Sequence, residues 1–183
     1  MRVAAKSLFS AAACAAIALF AACTPPTGGG GSATTTTAPP TNWATCPAKG
    51  PGQVRVAVVI DSQELPGGSS SPSVVCVVVA QGSSGVTALS ARATRIGAAQ
   101  PRYNASGLLC AIDGAPAAPA CGTPSGGGFL YWSYWIGGSN WTYANVGPAG
   151  RAMADGAVEG WRFISGGSPT APTASPSFSA LTN

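Results

Sequence analysis

The chain has 183 residues with 25 glycines, 16 prolines and only 8% charged residues, a formal net charge of +4 and no histidine. Without His, neither a Ser-His-Asp nor a Cys-His constellation can be built, and with no CxxC spacing a zinc site is not expected. There is no basic cluster to neutralise a row of phosphates, which argues against nucleic acid. No enzyme activity and no cofactor are expected.

The chain opens on two positive charges, Arg2 and Lys6, followed by an apolar run from Ser7 to Ala22. This is a charged n-region and an h-region, so residues 1–22 are read as a secretory signal peptide. The run is shorter than the roughly 20 residues that a spanning helix needs. It ends in Phe20-Ala21-Ala22-Cys23, which resembles the lipobox of bacterial lipoproteins, with Phe at the first position where Leu is usual. That resemblance implies cleavage before Cys23 and acylation of its thiol. Ordinary cleavage near Ala22, leaving Cys23 unlipidated, is the alternative. Residues 24–42 read TPPTGGGGSATTTTAPPTN. A segment without charge and with almost no apolar side chains cannot bury a core, so residues 23–42 are a lipidated Cys and a tether, spanning on the order of 25 Å as a coil. The expected location is the extracellular face of the cell membrane, lipid-anchored, or alternatively secreted.

Residues 43–165 are expected to form a single domain. Val54, Val56, Val58 and Ile60 alternate on one face of a strand. Asp61 to Pro72 is a turn region, and Val74 to Ala80 is a β-branched run that should be buried on both faces. These two segments should pair as a hairpin. Ser83 or Ser84 can cap a helix from Gly85 to Ile96, with Val86, Leu89, Ala93 and Ile96 on its apolar side. Arg92 and Arg95 suit its C-terminal dipole, and Gly97 stops it. Gly107 to Asp113 is a third strand candidate. Phe129 to Ile136 and Trp141 to Val146 flank Gly137-Gly138-Ser139-Asn140 as a hairpin, and Val158 to Ile164 is the last strand. The predicted fold is α+β, a mainly antiparallel sheet with one helix. Residues 166–183 return to Gly, Ser, Pro, Thr and Ala and are read as a disordered tail.

With Cys14 and Cys23 removed, four cysteines remain: Cys46, Cys76, Cys110 and Cys121. An even number in an exported chain reads as two disulfides. Of the three pairings, Cys110–Cys121 is favoured because it closes a short loop containing Gly114, Pro116 and Pro119, which leaves Cys46–Cys76. Asp155 and Glu159 are read as solvated turn charges.

Six of the nine Trp and Tyr residues fall within Tyr131 to Tyr143. A four-residue loop sets Ile136 opposite Trp141 and Tyr134 opposite Tyr143, and opposite residues share a face. One face then carries Trp132, Tyr134, Trp141 and Tyr143; the other carries Tyr131, Ser133 and Trp135. A one-residue slip would exchange the faces. One face should pack on the helix, and the other is a candidate platform for a flat or apolar ligand.

The segment from Tyr131 to Phe163 (YWSYWIGGSNWTYANVGPAGRAMADGAVEGWRF) resembles an actinobacterial family of exported proteins with YWSYW, W-x-Y, GPA and VEGWRF in this order. Members are often found beside genes for energy-coupling-factor vitamin transporters. More widely, Gly85-Val-Thr87-Ala88-Leu89, Gly107 to Gly114, Trp141 to Gly147 and Asp155 to Trp161 resemble the C-terminal domain of transcobalamin and intrinsic factor, about 110 residues in all. Here Ala157 replaces the usual second Asp, and Val146 separates Asn145 from Gly147. The resemblance implies a β-grasp-like fold and a surface-tethered ligand-binding lipoprotein that captures a cobalamin-like or other flat vitamin for a transporter. The ligand residues would be Trp132, Tyr134, Trp141, Tyr143 and Trp161, with Asn145 as a polar contact. The alternative function is a structural or interaction module binding cell-wall glycan or another surface protein, without catalysis.

Overall fold

A computed structural model of the chain describes residues 42–117 and 121–182. The segment read as a signal peptide, Cys23, and all but Asn42 of the segment read as a tether lie outside the described residues. Among the described residues no helix is long and apolar enough to cross a membrane.

The first long strand, β2 (Gln53–Asp61), follows a two-residue strand, β1 (Trp43–Ala44). It pairs antiparallel with β3 (Ser73–Ala80), Val56 opposite Val77, in the hairpin expected from their β-branched residues. The helix α1 spans Gly85–Ile96. Ser84 caps it by accepting from the Thr87 amide, and Gly97 ends it at φ 67°, a left-handed conformation that favours glycine. The short strands β4 (Arg102–Tyr103) and β5 (Leu109–Ala111) form a small sheet of their own, so the third predicted strand does not join the main sheet. The chain returns through β6 (Pro124–Ser125), β7 (Gly128–Ile136), β8 (Thr142–Tyr143) and β9 (Ala157–Ser165).

The main sheet runs β1-β3-β2-β9-β7-β6, with β8 on the end of β7. It is mixed: β9 lies parallel to β2, and β1 parallel to β3, while the other pairs are antiparallel. A first hairpin, a helix, and a last strand inserted beside the first is a β-grasp-like order. The fold is therefore α+β and mainly β, with one α-helix among the described residues. Both disulfides are formed, Cys46–Cys76 and Cys110–Cys121.

Val54, Val56, Val58 and Ile60 join Val75, Val77, Val79 and the helix in the main core. The helix buries Ala88, Leu89, Arg92 and Ala93, whereas Val86 is half-buried and Ile96 is 44% exposed. The predicted apolar side was thus rotated. Arg92 sits inside the core instead of serving the helix dipole, donating to Asp113 at 2.7 Å and to the Ser73 hydroxyl at 2.7 Å. Desolvating a guanidinium costs several kcal/mol unless it is paired in this way.

The opposite face of the sheet carries a second core of Ala57, Val59, Val74, Cys76, Val158 and Leu181. Leu181 lies in what was read as a disordered tail, and that reading is corrected. Residues 166–182 pack on the domain, and Pro172, Pro176 and Leu181 are buried. The Cys46 amide donates to the Leu181 carbonyl, and the Thr173 amide and hydroxyl donate to Asp61. The physical reason is the doubly apolar hairpin: one helix covers one face only, and the C-terminal segment covers part of the other.

Candidate functional site

The aromatic residues sit where β7 pairs with β9: Trp132 opposite Phe163, Tyr134 opposite Trp161, and Trp135 opposite Gly160. Trp132 meets Phe163 edge-on at 5.4 Å, and Tyr134 stacks on Trp161 at 4.9 Å. These four rings belong to the main core. Trp132, Tyr134 and Trp161 are therefore sealed and cannot form a platform.

The loop after β7 decides the rest. The structure pairs Ile136 with Thr142 and Trp135 with Tyr143, one residue away from the predicted register. The Gly137 amide still bonds to the Val158 carbonyl, so the loop takes in Trp141 and becomes five residues long. Gly138 makes this turn at φ 82°, where a Cβ would lie 2.7 Å from the Pro176 carbonyl oxygen. Tyr143 consequently moves to the other face. Its ring meets Trp135 edge-on at 5.1 Å and is 48% exposed.

Trp141 lies over Gly160, whose added Cβ would be 2.7 Å from the indole Cη2. Its Nε1 donates to the Ala174 carbonyl at 3.0 Å. Trp141 is thus half-buried under the C-terminal segment and packs against the second core. Asn145 is exposed and stands on the loop after β8. Of the six predicted ligand residues, three are core, one is bound by the C-terminal segment, and Tyr143 and Asn145 remain open.

The accessible aromatic residues are instead Tyr143 and the half-buried Tyr131, with Phe129 (57% exposed) further along β7, while Trp135, which braces Tyr143, is itself buried at 8% exposure. Partial burial, and then the nearby Tyr143 and Glu64, push the Tyr131 hydroxyl pKa up. The row borders a polar node. Arg162 donates to Glu64 at 3.1 Å and to Asp61 at 3.4 Å, and Glu64 also accepts from the Ser165 amide. Burial raises the Glu64 carboxyl, but the Ser165 and Arg162 hydrogen bonds outweigh it and hold the pKa below the ordinary value. This node anchors the C-terminal segment, because Arg162 also donates to the Ala171 carbonyl.

Glu159 is the largest departure from the sequence reading. It is fully buried and not a solvated turn charge. It accepts from the Tyr134 hydroxyl and from Arg151 Nε at 3.0 Å. Burial raises its pKa against the opposing pull of Tyr134 and Arg151, and burial also pushes the Tyr134 hydroxyl strongly up. The placement follows from strand alternation, since Glu159, Trp161 and Phe163 share the helix-side face. Asp155 is a surface charge as expected, held below the usual carboxylate range by Arg55 and Lys49.

An open groove of about 370 Å³ lies between α1 and β3. Two smaller cavities, about 240 and 190 Å³, lie beside Trp43 and Trp132 respectively. Drug-sized ligand sites occupy roughly 300–1,000 Å³, and of these three only the groove between α1 and β3 reaches that range, as an open groove and not an enclosed pocket. No group of three or more potential metal ligands occurs among the described residues. No curated protein matches the chain. A family model described as the SCO2322-like domain matches residues 31–126 and 124–183. The chain belongs to the SCO2322-like domain family.

Proposed function

We propose that this is a non-catalytic binding module of the outer cell surface, held by a lipid on Cys23 and a flexible tether, whose open sheet face stacks against a ring-faced ligand, in first place a cell-wall glycan. The observation that carries it is the exposed Tyr143 ring braced against Trp135, beside Tyr131, on a surface that lines none of the three cavities described above. Tyr and Trp offer a large apolar body with a polar tip, which suits sugar faces. An open row accepts a long chain from the side, whereas a pocket would select one small molecule.

A second reading is capture of a flat vitamin, such as a cobalamin-like molecule, for a membrane transporter. It is supported by the β-grasp-like strand order and by the motif resemblance to the transcobalamin domain. Titration of the mature chain with soluble cell-wall glycan fragments, followed by tryptophan fluorescence and thermal shift, tests the first reading. Tyr143→Ala should weaken glycan binding about tenfold, equivalent to about 1.4 kcal/mol, with the melting temperature of the free protein unchanged. Signals from cobinamides, tetrapyrroles or flavins, with none from glycans, would replace the first reading by the second. Silence across both panels would refute both.

A further inference from the structure

The sheet has an incompletely covered edge at β3. Strand β1 pairs with it only at Val74 and Val75, after which Cys46 is tied to Cys76 and Pro47 follows. Which groups face outward follows from the register. The Gln81 amide bonds inward to the Gly52 carbonyl, so the odd-numbered residues of β3 point toward β2. The even-numbered residues point away, consistent with the Val74 amide bonding to Asn42 and the Cys76 carbonyl accepting from Arg95. The Ala80 carbonyl is taken by the Ser83 amide. The Val78 amide, the Val78 carbonyl and the Ala80 amide remain, with no partner among the described residues.

This stretch is the floor of the 370 Å³ groove. Val77 and Val78 line it from the strand, Ala91, Thr94 and Arg95 from the helix, and Pro47 from the segment after β1. The edge carries no Lys or internal Pro of the kind that usually blocks strand addition. Arg95 donates to the Cys76 and Thr45 carbonyls. A guanidinium has five N–H donors, and no carboxylate pairs with Arg95 among the described residues.

We infer that this groove is a docking site for an extended peptide strand, which would continue the hydrogen-bonded row begun by β1 and present an acidic group to Arg95. The occupant follows from the groove's chemistry. Alternating backbone donors and an acceptor on a strand edge are matched by another main chain, and this is the β-augmentation mode of peptide recognition. The apolar walls suit small or β-branched side chains, and the unpaired cation suits a carboxylate. A second copy of this domain fits less well. The open edge is only a few residues long and is recessed between the helix and Pro47, which admits a single strand more readily than the edge of another sheet.

The probe is the acetylated peptide Thr-Val-Thr-Val-Thr-Val-Glu, added to the mature chain while amide hydrogen exchange is followed residue by residue. In the free chain the Val78 and Ala80 amides should exchange rapidly, unlike the Val56 and Val58 amides in the sheet interior. Saturating peptide should slow both at least about tenfold. The same peptide N-methylated on its pairing edge should produce no slowing, and replacing its Glu by Gln with an amidated terminus should weaken binding about threefold or more. Unchanged exchange at millimolar peptide would overturn the inference. So would protection in the free chain at every concentration, which would place the chain's own segment in the groove, or protection that grows with protein concentration alone, which would indicate a second copy.

Discussion

Leu181→Ala is the most direct probe of how the sheet is covered. Leu181 is fully buried, in contact with a core of Ala57, Val59, Val74, Cys76 and Val158, in the third residue from the end of the chain. Truncating a buried Leu removes its transfer free energy and leaves a cavity, together about 2–5 kcal/mol. The backbone bond from the Cys46 amide to the Leu181 carbonyl survives the substitution, so the lower half of that range, about 3 kcal/mol, is expected. For a folded unit of this size that corresponds to a fall in Tm of about 10 °C. Urea unfolding of wild type and variant, with the disulfides intact, supplies the comparison, and the m-value should stay the same. A loss below about 0.5 kcal/mol would mean that the C-terminal segment contributes no core, and the second apolar layer would lose its cover.

Other substitutions test separate contacts. Gly160→Ala would drive a methyl to 2.7 Å from Trp141 and 3.0 Å from Pro172, and overpacking of this kind costs about 1–3 kcal/mol; Trp141 emission should shift to the red as the ring is displaced. Ser84→Ala removes the acceptor for the Thr87 amide and should cost about 1 kcal/mol. Glu159→Gln addresses pH. Its folded pKa is raised above the ordinary 4.5 by burial, so the folded state holds the proton more tightly than the unfolded chain. The associated stability is present at and below the ordinary carboxylate pKa and is lost as pH rises through the folded value. Wild-type urea midpoints should therefore decline from about pH 5 upward, and the variant's should decline less. Glu64 and Asp155 act in the opposite sense, because their lowered pKa values make them stabilising above the ordinary range and the effect is lost only in stronger acid.

Much of the fold was legible because its signals are local. Alternating Val in β2, the β-branched run of β3, and the Ser84 and Gly97 caps of α1 each act within a few residues. The disulfide pairing was legible from loop chemistry. The tail was misread because composition measures what a segment can bury by itself. Residues 166–182 bury little of their own, but they complete a face that β2 and β3 leave apolar. That requirement was already visible in Val74 to Ala80, which was expected to be buried on both sides. Glu159 was misread from its neighbours in sequence, Asp155 and the glycines around them. Its alternation with Trp161 and Phe163 would have put it inside.

The aromatic site failed on one residue of register. A four-residue loop would have gathered Trp132, Tyr134, Trp141 and Tyr143 on one face. The observed five-residue loop instead sends Trp141 over Gly160 and brings Tyr143 against Trp135. Loop length is set here by contacts distant in sequence: the Gly137 amide is held by Val158, and Gly138 is pressed against Val158 and Pro176. The C-terminal segment therefore does more than cover the second core. By holding Pro176 against Gly138 and the Ala174 carbonyl on the Trp141 indole, it fixes the turn that exposes Tyr143. Loss of that segment should thus alter the aromatic row even where the main core survives, which ties the binding face to a stretch that composition alone would discard.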